Sequence, residues 1–558
     1  AQLLKQDRDQ TVRLTSAFYL GEVGSGASAK VLGEALVEEQ DPLVQKQILV
    51  GLAKTATLLQ IPLIENFSSD DNIAREGHCL SLIILKNKFY SNLRFGEITT
   101  DYIKDPTSSE SVRFLSSYFL SLADSVEIAP GENTIIQAIE KAQNPETRAN
   151  LLVSLSKLQK GSHAKIFEHY STSSEWIVRA GDLFGLHSSP SPDRDHYFLN
   201  ALHDSISRVQ LTASEILKQN FNSFPSLNFL EEARKQTHWN VRVNLYETAY
   251  LQTRNPQILQ EVMDVYKNAL NPFEKSAYIR LLGVRLENYD FLKNELFKND
   301  NPMIRTSCAT VLIQMNREKE FQSVLQKKFP EIFQRVLKQG DPVVITLFSQ
   351  LASDEELKHY EKIGNSQSLR DTYKTLMAQK ETEAAKAIDR VLSKIEMQAP
   401  VSLDPKVKAP DWNIIKAIAK DQRIMIKTTR GEIVVKLLVE NAPVAVSNFL
   451  RLIDEKYYTN TYVFNVTNFF IQSGCARGDG FSQNAYTLPY EPSIITPQLA
   501  TLNVTPIAKG FHSTQWYISL NPFLNGVGKS IPIGIIETDL SLLRKLEKGD
   551  TVLSISRL

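Results

Sequence analysis

A recurring helix-start pattern runs through the first four hundred residues of this chain and limits what the chain can fold into. Each copy has a polar residue at a turn, then an apolar residue that arginine often follows, then apolar positions at helical spacing. In four of the intervals the copies lie 29 to 35 residues apart, as from Val44 to Ile73 and from Val112 to Thr147. That length holds two helices of about 10–14 residues with short turns, so each copy predicts one helical hairpin. The copies stand near Val12, Val44, Ile73, Val112, Thr147, Ile177, Val241, Ile304 and Val343.

Several copies also carry the residues that begin helices. Asp41-Pro42, Asn301-Pro302 and Asp341-Pro342 each place a capping side chain before a proline, where the helix needs no N–H donor. This succession resembles HEAT repeats, in about eleven or twelve copies. The resemblance implies an all-α solenoid over residues 1–397, with a curved surface for a protein partner. The alternative is a generic helical bundle whose spacing arises by chance.

Arginine recurs at matching positions of the repeats, and two interpretations are open. The arginines could form a ladder that binds a ligand, or each could pair with an acidic residue or a helix end of the neighbouring repeat. We favour the second interpretation. The arginines are Arg13, Arg113, Arg148, Arg179, Arg242 and Arg305.

Composition excludes several classes of function. The chain has 558 residues, more than one hydrophobic core usually organises, so more than one domain is expected. Lys+Arg and Asp+Glu both number 63, which leaves no positive excess for nucleic acid or anionic lipid. The three cysteines are far apart and the histidines show no metal-binding spacing, so neither a metal nor another cofactor is expected. No apolar run is long enough to span a membrane.

The pattern changes at a proline-rich segment, residues 398–411, which predicts an extended linker. Beyond the linker the apolar residues alternate, as in strands, at 423–427 and 432–437, and a turn ending in Gly431 joins these two runs. A helix with proline in its first turn follows from Ala442. Residues 412–558 are therefore predicted to form a second, mainly-β domain.

The order of motifs from residue 422 to 558 is similar to that of the cyclophilin-type peptidyl-prolyl cis-trans isomerases. The resemblance implies an eight-stranded barrel capped by two helices, with a peptide groove for proline-containing segments on its outer face. The motifs are the opening hairpin 426–433, Glu440-Asn441-Ala442-Pro443, Val446-Ser447-Asn448-Phe449-Leu450, Tyr457-Tyr458, the strand 468–474, Gly478-Asp479-Gly480-Phe481 with Glu491, the strand 513–518, 522–526 and 533–536.

The resemblance also assigns roles to residues of this chain. It implies catalytic roles for Gln472 and Phe469, and it places Phe464 where the family has an arginine. His512 and Cys475 are read as surface and packing residues. The peptide-binding positions that it implies are Phe469, Phe470, Gln472, Ala508, Gln515, Tyr517, Phe523 and Leu524.

The missing arginine matters because of the reaction that such a domain would catalyse. Rotating an X–Pro bond breaks amide resonance, which costs about 18–20 kcal/mol. A catalyst lowers this barrier by binding the twisted state, and the rigid, always charged guanidinium of arginine offers a donor to the prolyl nitrogen. With Phe464 at that position we expect weak or lost catalysis. Arg477, on the loop after the strand, is the alternative source of a donor.

Three hypotheses follow. The chain is a weak peptidyl-prolyl isomerase whose solenoid collects client proteins, or a non-enzymatic scaffold in which solenoid and barrel hold a protein partner. In the third, the barrel is only a structural cap. The combination of the two regions resembles proteins of bacterial cell envelopes, which implies a periplasmic protein with a chaperone role. Because Ala1 falls inside the tail of a helix, we also expect an upstream leader or lipid anchor.

Overall fold

The computed structural model describes residues 1–88, 90–189, 191–364, 366–397, 407, 409–481, 486–493, 495, 499–507, 510–521 and 530–558. The chain forms two compact units. The first is Ala1–Gln252, and the second holds the described residues from Thr253 onward. No described helix is both long and apolar enough to cross a membrane.

The first unit is all-helical. Its helices start where the sequence pattern predicts, because Asp9, Asp41, Asp71 and Asn144 each accept hydrogen bonds from the first backbone N–H groups of a helix. The helices are α1 Gln2–Gln6, α2 Gln10–Val23, α3 Gly26–Glu38, α4 Pro42–Thr55, α5 Ile61–Glu65, α6 Asn72–Asn87, α7 Leu93–Lys104, α8 Glu110–Leu122, α9 Ser125–Ile128, α10 Glu132–Lys141, α11 Pro145–Ser156, α12 Ala164–Tyr170, α13 Trp176–Ser188, α14 Arg194–Leu202, α15 Ser207–Gln219, α16 Phe229–Lys235 and α17 Trp239–Thr253.

The helices of the first unit stack in order along the chain. Helices α2, α4, α6, α8, α11, α13 and α15 each contact the next one in this series. Helices α3, α7, α10, α12 and α14 each pack against the helix that follows them, which completes a helical hairpin. The predicted all-helical N-terminal region is thus confirmed, and its core is a run of small contacts between neighbouring hairpins.

The recurring arginines hold helix ends together. Arg13 Nε donates to Glu39 Oε2 at 2.8 Å, and Arg179 Nε donates to Asp204 Oδ2 at 2.7 Å. Each acid lies at the turn before the next helix of the stack, α4 or α15. Arg113 and Arg148 donate instead to backbone carbonyls at the end of the preceding helix. These contacts support the structural interpretation of the arginines over a ligand ladder.

One buried acid in the first unit gives a pH-dependent prediction. Asp182, in α13, is fully buried, and neither carboxylate oxygen has a hydrogen-bond partner within the described residues. Burial therefore raises the pKa of Asp182 well above its usual value. Because the folded state holds this proton more tightly than the unfolded state, the free energy of unfolding falls as pH rises above the unfolded pKa.

We expect Asp182→Asn to stabilise the protein by about 1–3 kcal/mol at pH 8, since the amide cannot ionise. The gain should shrink as the pH approaches 4. Urea denaturation at pH 5 and pH 8 measures both values, and Asp101→Asn, at an exposed position of α7, is the matched control. An equal effect of the two substitutions, or a gain that does not grow with pH, would contradict the prediction.

The second unit begins with eight more helices, of which α19, α21, α23 and α25 contact one another in succession. Three further helices accompany the strands that follow. The helices of this unit are α18 Pro256–Asn268, α19 Pro272–Leu282, α20 Tyr289–Lys298, α21 Pro302–Arg317, α22 Lys319–Gln339, α23 Pro342–Ala352, α24 Ser366–Ala378, α25 Thr382–Glu396, α26 Trp412–Lys416, α27 Pro443–Asp454 and α28 Leu540–Lys545.

The strands form one curled antiparallel sheet, in the order β3-β10-β1-β2-β9-β7-β8-β5-β4, with β6 paired to β8. The path begins at β3 and ends at β4, which follow each other in sequence with only Val463 and Phe464 between them. One short segment therefore joins both ends of the sheet. The strands are β1 Arg423–Thr428, β2 Gly431–Leu437, β3 Thr461–Tyr462, β4 Asn465–Val466, β5 Phe470–Ser473, β6 Thr487–Leu488, β7 Thr501–Ile507, β8 Gly510–Ser519, β9 Ile531–Ile536 and β10 Thr551–Arg557.

Alternating apolar residues fill the inside of the curled sheet. Ile424 and Ile426 of β1 are fully buried with Ile433 and Val435 of β2. The buried face of α27 packs onto the same core, and the carboxylate of Glu491 accepts hydrogen bonds of 2.8 Å from the N–H groups of Val444 and Ala445 at the start of that helix.

The predicted fold class, an all-α region followed by a mainly-β domain with an eight-stranded sheet and two capping helices, is confirmed. If β3 and β4 are taken as one interrupted strand, the main path has eight members, and α27 and α28 are the two predicted helices. The predicted boundaries at 397 and 412 stay predictions, since most of the proline-rich linker lies outside the described residues.

Candidate functional site

The candidate site lies on one face of the paired strands β5 and β8. In their antiparallel register Gln472 stands opposite Tyr517, and Phe470 stands opposite Ser519. Because side chains alternate between the two faces of a strand, Phe470 and Gln472 share a face with Gln515 and Tyr517. The structure thus brings four of the predicted residues together. Their peptide-binding role stays a prediction.

Side-chain amides form a head-to-tail series across this face, which we call the amide chain. Gln515 Nε2 donates to the Gly480 carbonyl at 2.8 Å, and Gln472 Nε2 donates to Gln515 Oε1 at 3.2 Å and to Thr505 Oγ1 at 3.3 Å. Asn465 Nδ2 then donates to Gln472 Oε1 at 3.4 Å. A backbone carbonyl can only accept, so Gly480 determines which end of the Gln515 amide faces it. That orientation is passed on to Gln472 and Asn465.

The amide chain runs from the interior towards the surface. Gln515 is 5% exposed, whereas Gln472 and Asn465 are half-buried. A ligand would therefore meet the outer end of the amide chain, where Gln472 and Asn465 lie. Buried amides with satisfied partners are held in one orientation, which suits a site that must present donors in fixed directions.

An aromatic pair borders the amide chain. The rings of Phe470 and Tyr517 meet edge to face, with their centroids 5.7 Å apart. The Tyr517 hydroxyl lies 2.6 Å from Ser530 Oγ, and Ser530 Oγ donates to Asn503 Oδ1 at 3.3 Å. Burial raises the pKa of Tyr517 to about 12, so this side chain stays neutral at ordinary pH. The pair offers an apolar edge of the kind that a proline ring could contact.

Phe469 stands one residue before β5, at the end of the strand pair. Its N–H donates to Thr467 Oγ1 at 3.1 Å, and its carbonyl accepts a hydrogen bond of 2.7 Å from the Leu520 N–H. The ring is half-buried. The backbone thus fixes Phe469 beside Phe470, while the amide chain lies further along β5.

Phe464 occupies the segment that joins β3 to β4. Its N–H donates to the Gln472 carbonyl at 3.1 Å, and its ring packs against Gly480, where an added Cβ would stand 3.2 Å from Phe464 Cε2. Gly480 has φ +82°, a conformation that glycine adopts without strain. A phenylalanine therefore fills the space next to the amide chain, and it contributes no hydrogen-bond donor there.

Asn465 is a site residue that the sequence analysis missed. In the register of β4 and β5 it stands directly opposite Gln472, so its side chain falls on the same face. It thereby places an amide donor beside Gln472, one position after Phe464. Pairing the hairpin around Asn468 by counting outward would have exposed this residue, because that pairing sets Asn465 against Gln472.

Arg477 does not act as the alternative donor in this structure. Its guanidinium contacts Asp479, and it also reaches Asp341 and Thr306 of the helical region. His512 differs from the expected surface loop residue: it lies in β8, is 9% exposed, and its Nδ1 accepts a hydrogen bond of 3.1 Å from the Gln515 N–H. Both residues therefore support the site from behind.

Three predicted peptide-binding residues, Ala508, Phe523 and Leu524, lie outside the described residues. Within the described ranges, no group of three or more His, Cys, Asp or Glu side chains is placed to hold a metal ion.

Comparisons with known proteins concern the C-terminal quarter of the chain in length. Residues 423–555 match the family model described as cyclophilin type peptidyl-prolyl cis-trans isomerase/CLD. A peptidyl-prolyl cis-trans isomerase of Synechococcus elongatus is 30% identical over 135 residues, which are 24% of this chain and 92% of the relative. Peptidyl-prolyl cis-trans isomerase 9 of Schizosaccharomyces pombe is 31% identical over 136 residues, but the match spans only 22% of that relative and 23% of this chain. A solved cyclophilin type peptidyl-prolyl cis-trans isomerase of Cryptosporidium parvum is 23% identical, with a TM-score of 0.23, and the alignment covers 25% of this chain and 97% of that one.

Proposed function

Because this chain belongs, through its C-terminal domain, to the cyclophilin-type peptidyl-prolyl cis-trans isomerase family, we propose that it binds X–Pro segments of client proteins and isomerises them weakly. The observation that carries the proposal is the shared face of Phe470, Gln472, Gln515 and Tyr517, with Phe464 beside it in place of an arginine. The aromatic pair would hold the proline ring, and the outer amides would hold the peptide backbone.

Weak catalysis follows from the donors that the site contains. The twisted X–Pro bond has a more basic nitrogen than the planar bond, so a donor that meets this nitrogen stabilises the transition state selectively. The side-chain amide of Asn465 is neutral, and hydrogen bonds from neutral donors are about half as strong as those from charged donors. The domain would therefore lower the barrier by less than a site that contains a guanidinium.

The proposal is tested by NMR exchange spectroscopy on a short X–Pro peptide in the presence of the full chain. We expect line broadening that reports binding, and a small acceleration of cis/trans exchange over the uncatalysed rate. An absence of both effects at millimolar peptide would contradict the proposal.

Asn465→Ala is expected to lower the exchange rate about tenfold while the peptide affinity changes little, because the donor acts mainly on the twisted state. Asn468→Ala, at the exposed tip of the same hairpin, is the matched control. If Asn465→Ala weakens binding and catalysis equally, Asn465 is a ground-state contact and the assigned role is wrong.

A non-enzymatic scaffold is the second candidate, and the apolar Phe464 is the observation that favours it. In that case the peptide would broaden without any acceleration of exchange. We also propose that the stacked helical hairpins are HEAT-like repeats that bind a protein partner, that the protein assists folding as a chaperone, and that it resides in the periplasm or cell envelope. The succession of helix contacts supports the first of these proposals. A third reading, in which the domain only caps the helical region, predicts partner binding that Phe470→Ala leaves unchanged.

A further inference from the structure

The loop after β5 connects the candidate site to the helices of the second unit. This loop, residues 475–481, carries Gly480, whose carbonyl accepts the hydrogen bond from Gln515 Nε2 at 2.8 Å. Gly480 also lies against the Phe464 ring. One end of the loop therefore touches the two residues that stand at the inner end of the candidate site.

The middle of the loop is fixed to helices α21 and α23. Arg477 Nη2 donates to Thr306 Oγ1 at 3.1 Å and to Asp341 Oδ2 at 3.3 Å, and Arg477 Nε donates to Asp479 Oδ2 at 2.9 Å. Thr306 Oγ1 donates in turn to Asp479 Oδ2 at 2.8 Å. Arg305 also donates to Asp341 Oδ2 at 2.9 Å. We call these five residues, Arg305, Thr306, Asp341, Arg477 and Asp479, the docking cluster.

The docking cluster is balanced in charge and largely closed to water. It contains two arginines and two carboxylates, and the side chains of Asp341 and Asp479 are 4% and 3% exposed. Buried charges of this kind hold a fixed geometry, because moving either partner leaves the other unpaired. The loop also lies tightly on α21, since a Cβ added to Gly478 would stand 2.7 Å from Met303 Cε.

The direction of the amide chain depends on this attachment. If the Gly480 carbonyl moved away, the Gln515 amide would lose the acceptor that keeps its NH₂ group on that side. Gln515 could then rotate, and the hydrogen bond from Gln472 to Gln515 Oε1 would be lost as well. The orientation of the outer amides is thus set by a loop that the helical region holds.

We propose that Arg477 is a positioning residue: it anchors the 475–481 loop on α21 and α23 and thereby fixes the amide chain that would receive an X–Pro peptide. This rests on the proposed function. The helical region then contributes to peptide affinity without touching the peptide, and a substitution on α23 changes the site through the docking cluster.

The test uses the full chain with ¹⁵N-labelled glutamine side chains and compares Arg477→Met and Asp341→Asn with the control Arg557→Met. Arg557 pairs with Asp454 at an exposed position of the same domain. We expect the first two variants to shift the Gln515 and Gln472 side-chain amide signals and to weaken X–Pro peptide binding about tenfold, the effect of one lost hydrogen bond. Arg477→Lys should restore part of the affinity, and Arg557→Met should change neither readout.

The two readouts separate the failures. If the unsubstituted chain binds no X–Pro peptide, the proposed function is wrong, and the amide signals of the peptide-free protein still decide whether Arg477 positions Gln515. If the peptide binds, but Arg477→Met and Asp341→Asn leave both the amide signals and the affinity unchanged, the positioning role is overturned. Melting temperatures of all variants show whether a change in affinity merely follows unfolding, and such a result would also count against the proposal.

Discussion

Phe464→Arg is expected to raise the rate of X–Pro isomerisation by about 10²-fold, the effect of adding one well-placed donor to a transition state. The Phe464 ring lies against Gly480, next to the amide chain, so a guanidinium at this position would reach the face that carries Gln472 and Gln515. Arginine is charged at all ordinary pH values and its donors are held in a rigid plane, which suits a nitrogen that becomes basic only when twisted. Exchange spectroscopy or a protease-coupled assay on a short peptide measures the gain.

Two further variants make this result specific. Phe464→Leu keeps an apolar side chain and should leave the rate unchanged, which controls for removal of the ring from Gly480. Asn465→Arg places the same guanidinium at the position that faces Gln472 across the β4–β5 pair. A gain with Asn465→Arg but none with Phe464→Arg would show that the donor position is residue 465, and that the expected arginine belongs one position later in this chain.

Asp341→Ala is expected to lower the free energy of unfolding by about 3–5 kcal/mol, the range for removing one partner of a buried ion pair. The Asp341 carboxylate accepts from Arg305 and Arg477 through Oδ2, and through Oδ1 from the N–H groups of Val343 and Val344 at the start of α23. Alanine would leave both arginines without this carboxylate and would also remove a helix cap. Urea denaturation followed by circular dichroism gives the change.

The matched control is Asp454→Ala, which breaks the exposed pair with Arg557. The side chains of that pair are 54% and 40% exposed, so its loss should cost about 0–1 kcal/mol. Equal costs for the two substitutions would mean that the docking cluster stabilises the second unit no more than a surface ion pair does.

Much of the helical region could be predicted from sequence because its signals are local. Asp41-Pro42 and Asp341-Pro342 state a cap and a helix start within two residues, and α4 and α23 begin there. The two capping helices and the opening hairpin of the sheet were predicted for the same reason. Neighbouring residues fix these elements, whatever the rest of the chain does.

The candidate site was only partly predictable. Gln472, Gln515 and Tyr517 meet as expected, since the alternation along two strands decides which residues share a face. Asn465 was missed because the short break between β3 and β4 shifts the face on which the next residue stands. The partners of Arg477 could not be foreseen at all: Asp341 and Thr306 lie 136 and 171 positions away, and no local pattern encodes such a contact.

The pairing of β1 with β10 has a consequence for the order of folding during synthesis. Ile426 lies opposite Ile555, so the sheet cannot close until the last residues of the chain have left the ribosome. The helices α21 and α23 rest on contacts between sequence neighbours, which form early and fast, and nascent chains generally fold from their N-terminal end. The side chains of Arg305 and Asp341 are therefore expected to be in place before the 475–481 loop reaches them. The slow, high-contact-order part of the protein would then complete its folding on a preformed helical template.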